Sequence, residues 1–165
     1  EALELAEWQA VLDVNLTAVF LLCQAALPGM RAQGWGRIVN MASQAARTRS
    51  LVAGYHYAAS KSGLLGFSRT LAAEVGPDGI TVNCIAPGRI DTPMAAVAGA
   101  EVNAAYVKTI PAGRIGTPGD IAAAAAYFAS EEAGGKLLTP KLTCGEGWLG
   151  WSAWSGMRII FGFSF

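Results

Sequence analysis

Tyr57 and Lys61, in the stretch Tyr55-His56-Tyr57-Ala58-Ala59-Ser60-Lys61-Ser62-Gly63, form a Tyr-x-x-x-Lys pair. Residues four apart share one helical face, roughly 5–6 Å apart at Cβ, so the Lys61 ammonium can stand beside the Tyr57 phenol. A neighbouring cation favours the phenolate. It draws a tyrosine down from its ordinary pKa of about 10 toward neutral pH, where the phenol can exchange a proton with a carbonyl or an alcohol. The same spacing on a solvated helix face has no such consequence, so the surrounding elements decide between the readings.

Those elements are legible. Upstream, Gly36-Arg37-Ile38-Val39-Asn40-Met41-Ala42-Ser43 is a short apolar run that predicts a buried parallel strand reaching a hydroxyl at Ser43. Downstream, Gly79 to Ala86 predicts a second strand, stopped by the turn Pro87-Gly88. Glu7 to about Met30 reads as a long apolar-faced helix with a bend near Asn15, and Tyr55 to Val75 as a second, closed by Gly76-Pro77-Asp78-Gly79. Thr117, Pro118 and Asp120 announce a further helix. Strands linked by helical crossovers give an α/β parallel sheet, with the helix of Tyr57 and Lys61 joining the two strands. Ligands bind such sheets beyond the carboxyl ends of the strands, where Ser43 and Pro87-Gly88 fall.

The chain resembles the short-chain dehydrogenase/reductase family, of the type that includes 3-oxoacyl-carrier-protein reductases and sugar or alcohol dehydrogenases. The matching motifs are Asp13-Val14-Asn15-Leu16, Gly36 to Ser43, Tyr57-Ala58-Ala59-Ser60-Lys61, Ile80-Thr81-Val82-Asn83, Pro87-Gly88-Arg89-Ile90-Asp91-Thr92 and Gly113 to Ala122. They run in family order from about Glu7 to Gly134.

The resemblance implies a doubly wound Rossmann fold, a three-layer α/β/α sandwich, and carbonyl–alcohol interconversion with NAD or NADP on a small-molecule substrate. It implies that Ser43 hydrogen-bonds the reacting oxygen, Tyr57 is the acid/base, and Lys61 both lowers the tyrosine pKa and grips the nicotinamide ribose. By the same resemblance Asn15 would hold a water that links Lys61 to bulk solvent as a proton relay. The main chain at Ile90 would hold the nicotinamide carboxamide, the Thr92 hydroxyl would bind carboxamide or phosphate, and Pro87 and Gly88 would belong to the same cofactor-binding stretch. Each role suits its side chain. Read without the resemblance, Asn15 is equally a buried amide or a kink, Ser43 a turn former, Tyr55 a neighbour of Tyr57 that competes for its role, and Thr92, before Pro93, a helix cap. Met94 to about Pro111 is Ala-rich, and the resemblance makes it a lid over an apolar or compact substrate. It also implies a homo-dimer or homo-tetramer built on the two long helices; Val19, Phe20, Leu64, Leu65 and Phe67 suit that interface or a core equally.

Relative to the family pattern, the chain starts at Glu1 in the approach to the fourth helix. The glycine-rich turn that takes the pyrophosphate and the acidic or basic residue that selects NAD or NADP are not in it. Residues 1–134 therefore read as the C-terminal, catalytic portion of the Rossmann domain, with its N-terminal half missing. After Gly134 the pattern of a last strand is lost: Pro140 stands in place of glycine after Thr139, and only Gly147-Trp148 echoes the strand end. Residues 135–165 read as an atypical tail, with Trp151, Trp154, Phe161, Phe163 and Phe165, expected to pack poorly and resembling a frameshifted end. As a membrane span it is too short, and it is interrupted by Ser152, Ser155, Gly156 and Arg158.

The chain has 165 residues, 53% of them hydrophobic, and 12 basic against 12 acidic side chains. The length suits one domain, and the balanced charge argues against nucleic acid or anionic membrane as partner. Cys23, Cys84 and Cys144 make neither a disulfide framework nor metal spacing, and Cys23 and Cys84 read as small core residues. His56, the single histidine, cannot hold a metal alone and reads as a surface or pocket-rim residue. No leader is visible, which is consistent with a cytoplasmic protein. Three functional readings stand: an NAD(P)-dependent oxidoreductase, a truncated inactive form that serves at most as an oligomerisation partner, and a non-catalytic binding module that reuses the fold, the last disfavoured because Ser43, Tyr57 and Lys61 are all present.

Overall fold

The computed structural model describes residues 3–49, 53–134 and 157–162. Val52 and, from the tail, Thr139, Pro140, Cys144, Gly147, Trp148, Trp151, Trp154, Phe163 and Phe165 lie outside them. The helices are α1 (Leu5–Leu12), α2 (Ala18–Gln33), α3 (Tyr55–Val75), α4 (Pro93–Ala96), α5 (Ala100–Thr109) and α6 (Pro118–Ala129). The strands are β1 (Gly36–Met41), β2 (Ile80–Pro87) and β3 (Met157–Gly162), in the spatial order β1-β2-β3. Both pairings are parallel, Gly36 standing opposite Ile80 and Val82 opposite Met157. A parallel pair needs a crossover, and α3 supplies it between β1 and β2.

Side-chain alternation along the strands divides the core between two faces. On one, Ile38, Ile80 and Val82 meet Cys23 and Leu27 of α2 and Leu71, Ala72 and Val75 of α3. Leu65 of α3 covers Cys84 and Ala86 on the same face. On the other, Ile85 and Val39 meet Phe128, Ile121 and Ala125 of α6. Helix, sheet and helix are therefore stacked as three layers. Val75, Val82 and Ile85 are fully shielded, and burying such a side chain contributes about 1.5–3 kcal/mol.

A buried polar contact fixes the register of α3 on the sheet. Asn40, on β1, donates from Nδ2 to Ser68 Oγ of α3 at 2.8 Å, both residues being buried. Sliding the helix by one position would leave the amide without its acceptor inside the protein, which costs more than the bond itself contributes. The end of α3 follows its sequence: Gly76-Pro77-Asp78 form a tight turn and Gly79, at φ +74°, reverses the chain into β2. At α6, the Thr117 side chain accepts from the Asp120 main chain while the Asp120 carboxylate accepts from the Thr117 main chain, a reciprocal cap. Arg114 adds a contact at 2.9 Å, and its guanidinium, ahead of the two Thr117 donors, holds the Asp120 carboxyl well below the usual carboxylate range.

Several expectations are corrected. The bend near Asn15 is a π turn over Asp13–Thr17 that joins α1 and α2 into one rod from Leu5 to Gln33. The strand expected to run to Ser43 ends at Met41; Ala42 still donates to Ile85 O at 2.7 Å, and Ser43 then caps a tight turn over Gln44–Ala46. The tail, expected to lack a strand, contributes β3: six residues free of proline pair along β2, whose edge would otherwise be left open. His56, expected at the surface or a pocket rim, is half-buried: its side chain is 17% exposed, with Nε2 4.0 Å from Glu7 Oε1. Of the apolar residues on the long helices, Leu64 and Leu65 are buried and Val19 and Phe67 pack on the core. Phe20 stays 45% exposed, edge-on to Phe67. By length and composition the rod is apolar enough to cross a membrane, and Cys23 and Leu27 of the same rod are part of the sheet-facing core.

Candidate active site

The carboxyl ends of β1 and β2 carry the site. α3 begins at Tyr55, so Tyr57 and Lys61 lie in its first two turns, beside the end of β1. Lys61 Nζ lies 5.6 Å from the centre of the Tyr57 ring and donates to Met41 O at 2.8 Å. The sequence-predicted pair thus meets on one face. Burial pushes the Lys61 ammonium below its ordinary pKa, because withdrawing the side chain from water disfavours its charged form.

Ser43 follows β1 by two residues. Its Oγ accepts from Ala45 N at 3.2 Å, which occupies one lone pair and leaves the hydroxyl its donor. Among the described residues no hydrogen bond joins Ser43 to Tyr57. The two stand on neighbouring elements, Ser43 after β1 and Tyr57 on the helix whose Lys61 reaches back to the last residue of that strand.

Asn15 is brought to the pair from the far helix rod. The π turn widens the helix around it, a local form that often accompanies functional positions. Its Nδ2 donates to Ser60 Oγ at 3.1 Å, and Ser60 in turn donates to Tyr57 O at 2.8 Å. Ser60 is fully buried. The Asn15 amide therefore reaches the main chain of Tyr57 through one hydroxyl. Sequence reasoning passed over Ser60; its only signal was a serine in a helix interior, where serine is a poor helix former unless its hydroxyl is used. The Met41 carbonyl was likewise beyond reach, since main-chain partners leave no trace in residue type.

The loop after β2 carries the remaining candidates. Pro87 closes the strand. Gly88 leads to Ile90, which forms a parallel bridge with Gly116. Gly116 N donates to Arg89 O at 2.9 Å and Asp91 N to Gly116 O at 2.8 Å. Since those two bonds use the residues on either side, the N–H and C=O of Ile90 itself face away from Gly116, as in any parallel ladder. An outward donor and acceptor side by side match a primary carboxamide, and by that test the segment fits a nicotinamide. Thr92 caps α4, its hydroxyl accepting from Ala95 N at 3.2 Å and lying 3.5 Å from Ile90 O. The cap reading of Thr92 therefore holds in the structure.

A groove of about 410 Å³ runs along β1 beneath α2, lined by Val14, Asn15, Leu22, Val39, Met41 and Lys61 among others. It touches the site at Asn15, Met41 and Lys61; Ser43, Tyr57 and residues 87–92 are not on its wall. It follows the edge of the sheet, since β1 is the outermost strand. Among the described residues no cluster of His, Cys, Asp and Glu suits a metal. Cys23 and Cys84 are buried free thiols that burial pushes up in pKa, as befits core residues.

Residues 1–136 match a family described as enoyl-(acyl carrier protein) reductase. The 3-oxoacyl-[acyl-carrier-protein] reductase FabG of Aquifex aeolicus is 42% identical over 129 residues, a match that covers 78% of this chain and 52% of that protein. The acetoacetyl-CoA reductase of Cupriavidus necator is 41% identical over 129 residues with the same coverage, 78% and 52%. A 3-oxoacyl-[acyl-carrier protein] reductase from Brucella melitensis superposes with a TM-score of 0.78 at 46% identity, over 81% of this chain and 50% of that one. Another from Brucella melitensis, with bound NAD, gives a TM-score of 0.77 at 38% identity, over 98% and 53%. This chain spans about half the length of the relatives it matches.

Proposed function

We propose, proceeding from the fact that the chain belongs to the short-chain dehydrogenase/reductase family, that Ser43, Tyr57 and Lys61 interconvert a carbonyl and a secondary alcohol with NAD or NADP. The observation that carries this is the approach of Lys61 Nζ to within 5.6 Å of the Tyr57 ring at the carboxyl end of the sheet. In the reductive direction the Tyr57 phenol passes its proton to the carbonyl oxygen, and the Ser43 hydroxyl donates a hydrogen bond to that oxygen as charge develops. The Lys61 ammonium favours the resulting phenolate. Two of its three N–H donors remain beyond the Met41 bond, enough to hold a ribose hydroxyl. The outward main-chain pair at Ile90 fits the nicotinamide carboxamide. When bound, the nicotinamide supplies or accepts the hydride at the carbonyl carbon.

The names of the relatives make a 3-oxoacyl thioester the first substrate class to try. The apolar, outward surface of the Leu5–Gln33 rod supports a second, compatible reading, in which the chain assembles with further copies through its long helices. The enzymatic reading is tested in a chain extended to the length of its relatives. There Tyr57→Phe should abolish reduction of the thioester with near-normal dinucleotide affinity, while Lys61→Ala should damage both. Equal and mild losses for the two variants would contradict it.

A further inference from the structure

We propose that Arg89 is the clasp that fixes the α4–α5 segment beyond the carboxyl end of β2, and so a positioning residue for whatever that end of the sheet binds. The bearing of the segment on a substrate rests on the carbonyl chemistry proposed above; the clasp itself does not.

Arg89 is tied to the body by its main chain and to the segment by its side chain. Its carbonyl accepts from Gly116 N at 2.9 Å, at the foot of α6. Its guanidinium crosses to the segment: Nε donates to Asn103 Oδ1 on α5 at 2.8 Å, and Nη2 donates to Ala95 O on α4 at 2.8 Å. Asn103 Nδ2 completes a triangle by donating to the same Ala95 carbonyl at 3.3 Å. The guanidinium plane also lies 5.3 Å from the centre of the Tyr106 ring, one turn further along α5. Bidentate donation together with stacking on an aromatic face is what arginine can do and lysine cannot.

Little else holds the segment. α5 buries no residue, and Ala95 is the buried residue of α4. Met94 and Val97 stand 82% and 88% exposed, and Tyr106 and Val107 are only half-buried, so none of the segment's larger side chains is sunk in the core. One buried methyl group is a weak anchor beside two charge-assisted hydrogen bonds and a stacked ring. Between the two helices Gly99 has φ +85°, with open space around it, so its conformation and not crowding calls for glycine there. Two short helices joined at such a position can turn together once the clasp opens.

Hydrogen–deuterium exchange on the whole 165-residue chain tests the clasp without any turnover. Arg89→Ala should speed exchange of the amides of residues 94–109 by about ten- to a hundredfold, the effect of losing charge-assisted bonds on local opening. Amides of β1, β2 and the second half of α3 should keep their wild-type rates. Asn103→Ala should give a smaller acceleration, and Arg89→Ala with Asn103→Ala no more than Arg89→Ala alone. Arg89→Lys should fail to restore protection fully. Unchanged protection over 94–109 in Arg89→Ala would overturn the proposal. An equal acceleration in β2 would also overturn it, because Arg89 would then stabilise the fold at large and not the segment.

Discussion

The Asn15–Ser60 contact lends itself to a quantitative prediction. Asn15 Nδ2 donates to Ser60 Oγ at 3.1 Å, while the Ser60 hydrogen is committed to Tyr57 O at 2.8 Å. Asn15→Ala removes the donor without orphaning a buried one, so the lost bond costs about 0.5–1.5 kcal/mol. Alanine regains up to about 0.7 kcal/mol of helix propensity, which hides much of that loss. Ser60→Ala leaves the half-buried Asn15 amide short of an acceptor and regains a similar propensity. The single variants therefore mislead, and the double-mutant cycle, in which the propensity changes cancel, is the informative quantity. It should give a coupling of about 1 kcal/mol, which for a chain of this size is about 2–4 °C in Tm. Urea or thermal unfolding of the four proteins, followed by far-ultraviolet circular dichroism, reads it. Additivity to within about 0.3 kcal/mol would refute the contact.

Further expectations concern the helix that carries the site. Ser68→Ala should destabilise the chain by about 1–3 kcal/mol, because the buried Asn40 amide loses its acceptor, and the urea midpoint at an unchanged slope would show it. Burial lowers the Lys61 pKa in the folded chain, so the unfolded chain binds the proton more readily. Stability relative to Lys61→Met should then rise with pH from the folded Lys61 pKa up to about 10.4, the charged form bearing its burial penalty below that window. A stability difference that is flat across alkaline pH would contradict this.

The limits of α3 were readable because glycine and proline punctuate its end and the Tyr-to-Lys spacing sets its face. The cap at Thr117 and the strand Ile80–Pro87 were equally clear, each resting on a residue type with few alternatives at its position. The π turn was visible only as a bend. One extra residue in a turn shifts the helical phase without changing composition, and a long apolar rod keeps no clean periodicity against which to see the shift. Ser60, the Met41 carbonyl and the Arg89 clasp were hidden for another reason. Their partners lie in other elements, at positions that only the assembled layers bring within hydrogen-bonding distance. His56 sits next to Tyr57, and its half-burial comes from Glu7 of α1 reaching across to α3, a neighbour that the local sequence does not show. β3 escaped notice because it is a six-residue strand within an aromatic, glycine-rich tail, paired with a partner far upstream.

The central claim is that Tyr57, beside Lys61, is the acid that protonates a carbonyl. It is tested most directly by the rate at which a chain of full family length oxidises reduced nicotinamide in the presence of a 3-oxoacyl thioester, with Tyr57→Phe as the single change. Loss of a positioned proton donor should lower turnover by about 10²–10⁴-fold, with dinucleotide affinity measured by calorimetry changed only slightly, since the ring remains to pack beside Lys61. Turnover within a few fold of wild type would contradict the account and remove Tyr57 from the chemistry.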